Sequence, residues 1–192
     1  MLPMTLAERR NLLVRLLGDA EEGVRAAAAG ALERLEACQE LPTLVAALKA
    51  TERGVRVRAI FAMEQLASAD VFPHLVELLK DTDADIRAAA VQVLGRKAHP
   101  KSLGSLVRHL KDPAPAVRVH TAAALGRFSD PRLVPYLAAM LQDADEQLVI
   151  NAARSLGSIG AAEAAAPLAA SLQDARASVR EAAARALGEV PF

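Results

Sequence analysis

The sequence predicts an all-α fold, a right-handed solenoid of six antiparallel helical hairpins, and three observations carry this prediction. An aliphatic residue, followed by Arg in five of six copies, recurs every 31 residues, at positions 24, 55, 86, 117, 148 and 179. Leucine columns keep the same step. Aromatic residues make up only 3% of the chain, so the core must consist of Leu, Val, Ile and Ala. A fixed period of this length is the signature of a repeat array.

The repeats fill the chain. Six copies of 31 residues account for nearly all of the 192 residues, and no insertion separates them. We therefore expect one array over residues 1–192, with repeats at approximately 7–37, 38–68, 69–99, 100–130, 131–161 and 162–192.

Each copy predicts two helices, because its apolar residues follow a 3.6-residue period. In the first helix they fall at i, i+1 and i+4, as in Leu44, Val45 and Leu48. In the second helix they fall at i, i+4, i+7, i+8 and i+11, as in Val24, Ala28, Ala31, Leu32 and Leu35.

Helix ends are predicted from Pro, Gly and capping residues. Thr5 with Glu8 fits a capping box before the first helix. A Pro column marks the first turn of the first helices, where a missing N–H is harmless: Pro42, Pro73 and Pro135. A Gly column near the end of the second helices suits a C-terminal cap: Gly95, Gly126, Gly157 and Gly188.

The pattern Asp-x-x-x-x-(Val/Ile)-Arg-x-x-Ala-x-x-Ala-Leu-Gly is carried by residues 81–95, 112–126 and 174–188. A 31-residue hairpin with this core resembles the short HEAT-like repeat of the phycobilin lyase type. The resemblance covers essentially the whole chain. It implies the solenoid fold but not one function, because the family contains lyase subunits, scaffolds and regulators.

Two charged columns lie at the turn between the helices of each copy. The acidic column is Asp19, Asp81, Asp112, Asp143 and Asp174, and the basic column is Arg25, Arg56, Arg87, Arg118 and Arg180. We expect the Asp to cap the second helix and the Arg to pair with a carboxylate, rather than to form a repeated anion site. The resemblance implies such a ladder. Ala50 and Val149 interrupt this ladder, so the turns of the second and fifth copies should be less tied electrostatically.

Polar and irregular residues of the second helices share one sector of the helical wheel, at positions 3, 6 and 10 counted from the aliphatic residue as position 0. We expect this sector, the Arg stripe, to line the concave surface. It comprises Arg34, Arg58, Phe61, Gln65, Gln92, Arg96, His120, Arg127, Asn151, Arg154 and Arg185. Glu189 is the one carboxylate in these three columns.

The Arg stripe has two interpretations. Surface Arg can simply keep an Ala-rich helix in solution. Alternatively, it can form a groove for an acidic or phosphate-bearing partner, because guanidinium groups bind carboxylates and phosphates bidentately. Phe61 is either an apolar anchor in that groove or a ring folded onto the adjacent repeat.

No catalytic, metal or cofactor site is predicted. The histidines are His74, His99, His109 and His120, and none is followed by Glu as in the di-iron hydroxylases built on HEAT-like repeats. Each is expected to be a scattered surface side chain. Cys38 is expected to be a buried or half-buried thiol and not a nucleophile.

Composition limits the functions further. Lys+Arg and Asp+Glu both number 23, which disfavours a nucleic-acid binder. The first hypothesis is a non-catalytic scaffold that binds a protein partner, expected to be acidic, on its concave face. The alternatives are a nucleic-acid backbone binder and a phycobilin lyase-like or chromophore-handling subunit. With no membrane span or signal sequence predicted, the expected location is cytoplasmic.

Position 2 of the second helix is apolar or Ala in five copies but Glu181 in the sixth. We expect Glu181 to mark a solvent-facing end of the array, where no further repeat stacks.

Overall fold

The computed structural model describes residues 4–191, and that part of the chain contains helices and no strand. Short 3-10 turns precede or follow several helices. The α-helices are α1 (Leu6–Leu16), α2 (Glu22–Ala47), α3 (Arg53–Gln65), α4 (Val71–Leu78), α5 (Ala84–Lys97), α6 (Leu103–Arg108), α7 (Pro115–Leu125), α8 (Val134–Met140), α9 (Glu146–Ile159), α10 (Ala165–Ser171) and α11 (Ala177–Glu189).

The chain divides into two compact units, one reaching His74 and one beginning at Leu75. In the first unit α1 packs on α2, and α2 on α3. In the second unit α6, α8 and α10 pack on α7, α9 and α11, and the second helices α5, α7, α9 and α11 pack on one another in that order. The core of the second unit is aliphatic, and its fully buried side chains include Leu75, Ile86, Leu94, Leu106, Leu125, Leu137, Leu148, Leu156 and Leu168.

The helix boundary predicted before Pro42 is wrong. The second helix of the first copy and the first helix of the second copy form one continuous helix, α2, with Pro42 inside it. The segment before Pro42, residues 37–41, holds no Gly, Asp or Pro that would end a helix. Later junctions do hold such residues, as in Asp130 with Pro131 and in Gly160, and there the helices separate.

Helix α1 begins at the predicted capping box, since the Thr5 hydroxyl accepts from the Glu8 N–H and the Glu8 carboxylate accepts from the Thr5 N–H. None of its residues is buried. Leu17 is 42% exposed, whereas Leu79, in the same column, is 2% exposed. The leucine column therefore becomes core only where neighbouring helices cover it.

The Gly column caps a helix only at Gly126, the residue after α7, which is right-handed with φ of −61°. Contrary to the sequence prediction, Gly95, Gly157 and Gly188 lie inside their helices. A Cβ on Gly95 would lie 2.5 Å from the Ala124 Cβ, and a Cβ on Gly126 would lie 2.7 Å from the Ser155 Cβ. A Cβ on Gly157 would meet Ala186 in the same way. These glycines let the backbones of successive second helices approach closely.

The helices end instead through other residues. Ala98 after α5 and Gly160 after α9 adopt left-handed conformations, with φ of 44° and 64°. Left-handed residues are a common way to satisfy the last carbonyl groups of a helix.

The Asp column caps the turn and not the second helix. The Asp81, Asp112 and Asp143 carboxylates accept from the N–H two residues later, at 2.8–2.9 Å. Such Asx turns hold the loop that leads into the helix. The helix N-caps lie two residues further along, and at Asp83 and Asp145 the side chain of that residue is the cap.

The Arg column ties the turns together. The Arg87 Nη1 donates to the Asp81 and Thr82 carbonyls of its own repeat. Its Nε and Nη2 also donate to both carboxylate oxygens of Asp112 in the next repeat, each at 2.8 Å. Burial alone would raise the pKa of the Asp112 carboxyl, but the hydrogen bonds from Arg87 and the Ala114 N–H outweigh it and lower that pKa.

In the fifth copy, where Val149 replaces the Arg and a less tied turn was predicted, an Arg of the next repeat donates to the turn carbonyls. Its turn carbonyls at Asp143 and Ala144 accept from the Arg176 Nη1, at 3.2 and 3.4 Å. Arg176 belongs to the sixth copy, so the next repeat supplies the missing donor. In the second copy, where Ala50 replaces the Asp, the Arg56 Nε donates to the Leu48 carbonyl at 3.1 Å.

Gly126→Ala should destabilise the protein by roughly 1–3 kcal/mol, because its methyl group has no room against Ser155. Gly188→Ala is the matched control, since a Cβ there would meet no atom within 4 Å. That change should be neutral or stabilising by about 0.5–1 kcal/mol through helix propensity. Urea unfolding of the two variants measures both effects, and an equal response would contradict the close-packing role of Gly126.

Asp112→Asn should lower the free energy of unfolding at pH 7 by roughly 1.5–3 kcal/mol, because it removes the charged acceptor of Arg87. The folded pKa of Asp112 lies below its unfolded value of about 3.9. The carboxylate therefore stabilises the fold fully above that pH and loses its effect as the pH falls through the folded pKa. Unfolding measured from pH 7 to 3 should show the gap between wild type and variant closing; a constant gap would contradict this role.

Candidate interaction surface

The second helices of the second unit are separated by three surface grooves, one between each neighbouring pair. Every stripe residue of this unit lines at least one of these grooves: Gln92, Arg96, His120, Arg127, Asn151, Arg154 and Arg185. Within this unit, the residues that share one sector of the helical wheel therefore all lie along the grooves between the second helices.

The groove between α5 and α7 has a volume of about 170 Å³ and is lined by Gln92, Arg96, His120 and Arg127, among others. Burial lowers the pKa of His120 below its usual value of 6.5. The imidazole is consequently neutral at pH 7, and the positive charge of this groove comes from its two Arg side chains.

The groove between α7 and α9 has a volume of about 330 Å³ and is lined by Arg127 and Arg154, with Asn151 and Ser158 beside them. Its lining contains no carboxylate. Within residues 4–191, neither of the two Arg side chains forms an ion pair or a hydrogen bond. Both guanidinium groups are solvent-exposed and have their donors available.

The groove between α9 and α11 is the largest, at about 410 Å³, and it is electrically balanced. Arg154 and Arg185 line it together with Glu181 and Glu189. The Arg185 Nη2 donates to the Glu181 carboxylate at 2.6 Å. Glu181 thus shares a groove with the Arg stripe, and its interpretation as the marker of a terminal face stays a prediction.

The stripe residues of the first unit lie on α2 and α3. Arg34, Arg58 and Gln65 are exposed, and Phe61 is half-buried. The Arg58 guanidinium lies back over Gly54 of its own helix, 3.5 Å from the place of a Cβ, and Arg34 lies over Gly30 in the same way. These two Arg side chains therefore extend along their own helices.

Two single residues differ from their sequence-based interpretation. His109 is not a scattered surface side chain, because its Nδ1 lies 2.8 Å from the Ser105 carbonyl and its Nε2 lies 2.9 Å from the Leu79 carbonyl. It joins neighbouring repeats. Cys38 is exposed and not buried.

The sequence reasoning missed how residues from neighbouring repeats pair across each groove. The Gly contact brings position 10 of one second helix, such as Arg127, beside position 6 of the next, such as Arg154. The spacing of the repeats gives the position of each residue on its own helix. Only the contact of Gly126 with Ser155 reveals how far neighbouring second helices are offset along their axes.

A comparison with protein-family models matches HEAT repeats at residues 41–115 and 105–188. The chain belongs to the HEAT repeat family. The predicted resemblance to HEAT-like repeats and the predicted all-α solenoid class are thereby confirmed. A search of curated protein sequences found no match.

Solved structures support the same fold. The complex of CpcE and CpcF of phycocyanin lyase from Nostoc sp. PCC7120 is similar with a TM-score of 0.67 and 22% identity, over 77% of this HEAT repeat chain and 63% of that chain. This chain thus spans less than two thirds of that relative. A designed armadillo repeat protein in complex with the peptide (KR)4 matches with a TM-score of 0.62 and 19% identity, over 94% and 98% of the two chains.

A further match is a computationally designed armadillo repeat protein for modular peptide recognition, with a TM-score of 0.61 and 20% identity, over 94% of this chain and 99% of that chain. At these identities the similarity defines the fold alone. Within residues 4–191 of this HEAT repeat protein, no helix is both long and apolar enough to span a membrane. The same part of the chain brings together no group of three or more His, Cys, Asp and Glu side chains that could hold a metal ion.

Proposed function

We propose that this HEAT repeat protein is a non-catalytic interaction module that binds an acidic segment of a partner protein along the Arg stripe. One observation carries the proposal: the seven stripe residues of the second unit line three consecutive grooves on one face. A row of shallow grooves suits an extended segment that contacts several helices in turn.

The charge of the grooves supports an acidic partner. Arg96, Arg127 and Arg154 supply positive charge on a chain whose formal net charge is zero, and guanidinium groups pair bidentately with carboxylates. Like charges placed in neighbouring grooves repel one another weakly in solvent. An acidic segment would relieve that repulsion. The Arg charges therefore favour the binding of such a segment but do not stabilise the free protein.

The structural neighbours offer a precedent for the mode of binding. A designed armadillo repeat protein of the same fold binds the basic peptide (KR)4. If this chain uses the equivalent face with the opposite charge, its ligand is an acidic peptide.

A labelled (Asp-Glu)4 peptide should bind the protein in fluorescence anisotropy, and a (Lys-Arg)4 peptide should not. The double variant Arg96→Glu with Arg127→Glu should weaken binding roughly ten-fold or more, because it reverses charge inside two grooves. The matched control is Lys101→Glu with Lys111→Glu, which makes the same charge change at exposed residues outside the grooves.

Retained binding in the Arg double variant, or equal loss in the Lys control, would overturn the proposed face. Duplex DNA serves as the third ligand. If DNA binds more tightly than the acidic peptide, with a steep loss in added salt, the chain is instead a nucleic-acid binder.

A further inference from the structure

The three grooves of the second unit differ in the two residues that flank the floor of each groove, which is the place where the two helices touch. At each floor a glycine of one helix touches a small residue of the next, and the flanking residues occupy position 10 of the first helix and position 6 of the second. The flanking pairs along α5, α7, α9 and α11 are Arg96 with Ala123, Arg127 with Arg154, and Ser158 with Arg185. Arg from both sides lines each of these three grooves. The groove between α7 and α9 differs in that no carboxylate lines it and neither of its two Arg side chains forms an ion pair or a hydrogen bond within residues 4–191.

The α7/α9 groove differs from the α9/α11 groove in the charges that line it. Arg127 and Arg154 have no carboxylate among the other residues lining the groove. In the next groove, Glu181 pairs with Arg185, and the Glu189 carboxylate would lie 2.7 Å from a Cβ on Gly157. The α7/α9 groove is therefore lined by two Arg charges and no carboxylate, and two positive charges attract a doubly charged anion more strongly than a singly charged one.

Neutral donors beside the two guanidinium groups fit the same ligand. The Asn151 Nδ2 donates one hydrogen to the Gln147 carbonyl, which leaves its second amide hydrogen available. Ser158 is exposed and lines the groove, and its residue type carries a hydroxyl donor. The Ser155 hydroxyl already donates to the Ala122 carbonyl at 2.8 Å and belongs to the floor.

We propose that the α7/α9 groove binds a phosphoryl dianion, held between the guanidinium groups of Arg127 and Arg154. A phosphomonoester carries a charge of about −1.5 to −2 at pH 7 and three strong acceptor oxygens, so it can engage both guanidinium groups at once. A single carboxylate offers two oxygens and one charge. The assignment rests on the proposed function for its natural source, which is a phosphorylated Ser or Thr in the acidic partner segment.

The site itself is tested with inorganic phosphate and the full chain. In a 15N-edited NMR titration at constant ionic strength, phosphate should cause saturable shifts at the amides around Gly126 and Ser158. Arg127→Gln and Arg154→Gln should each weaken binding about ten-fold. Arg108→Gln, at an exposed residue on α6, should leave it unchanged. Binding should also weaken from pH 7.5 to 5.5, as phosphate becomes a monoanion.

Shifts that do not saturate, or that persist unchanged in both groove variants, would overturn the site. Thermal unfolding of each variant shows whether it is folded. Lost binding in a folded Arg127→Gln protein then reports on the groove alone.

A second arm identifies the source of the phosphoryl group. An acidic peptide with one phosphoserine should bind at least ten-fold more tightly than the same peptide with Ser, and the difference should vanish in the Arg127→Gln, Arg154→Gln protein. Saturable phosphate binding with equal affinity for both peptides would assign the site to a free phosphomonoester.

The two proposals fail separately. Peptide binding that depends on the stripe, without saturable phosphate binding, would retain the interaction module and reject the phosphoryl site. Saturable phosphate binding without binding of either peptide would do the reverse.

Discussion

The close approach of successive second helices is the constraint on which the second unit depends. At Gly95, Gly126 and Gly157 no side chain separates the helix from its neighbour, and the facing residue is Ala124, Ser155 or Ala186. This contact fixes both the distance between helices and their offset along the axis. Every residue near it is consequently placed against a defined residue of the next repeat. The Arg stripe acquires its grooves in this way, because positions 10 and 6 of adjacent helices flank each contact.

The turns between the two helices of each repeat are held by a different interaction. Arg side chains there donate hydrogen bonds to turn carbonyls and to carboxylates. Arg87 joins two repeats through Asp112, and its side chain is 11% exposed, so water competes little for the pair. The fifth copy illustrates that the turn needs a donor but not one from a fixed position. Arg176 of the next repeat reaches the carbonyls that Val149 cannot serve. The alignment of the repeats therefore tolerates a substitution that breaks the sequence pattern.

Packing, and not only the sequence, decides which Arg side chains of the stripe have a carboxylate beside them. On the helical wheel, Arg127, Arg154 and Arg185 look equivalent. In the structure Arg185 is paired with Glu181, one turn away on α11, whereas Arg127 and Arg154 share a groove lined by no carboxylate. The same residue type thus has two roles on one face. The α9/α11 groove holds an ion pair within α11, and the α7/α9 groove is the one that we propose to bind an anion.

The sequence by itself determined the all-helical class, the 31-residue repeat and the face that carries the Arg stripe, because helical periodicity and burial are set within each copy. Tertiary structure decided the rest. Gly95, Gly126 and Gly157 became contact points between helices, because that role depends on what packs beside them. The position of Arg127 and Arg154 in one groove likewise depends on the offset between neighbouring helices, which no single repeat encodes. Periodicity defines where a side chain points on its own helix, and packing alone defines which side chain it meets.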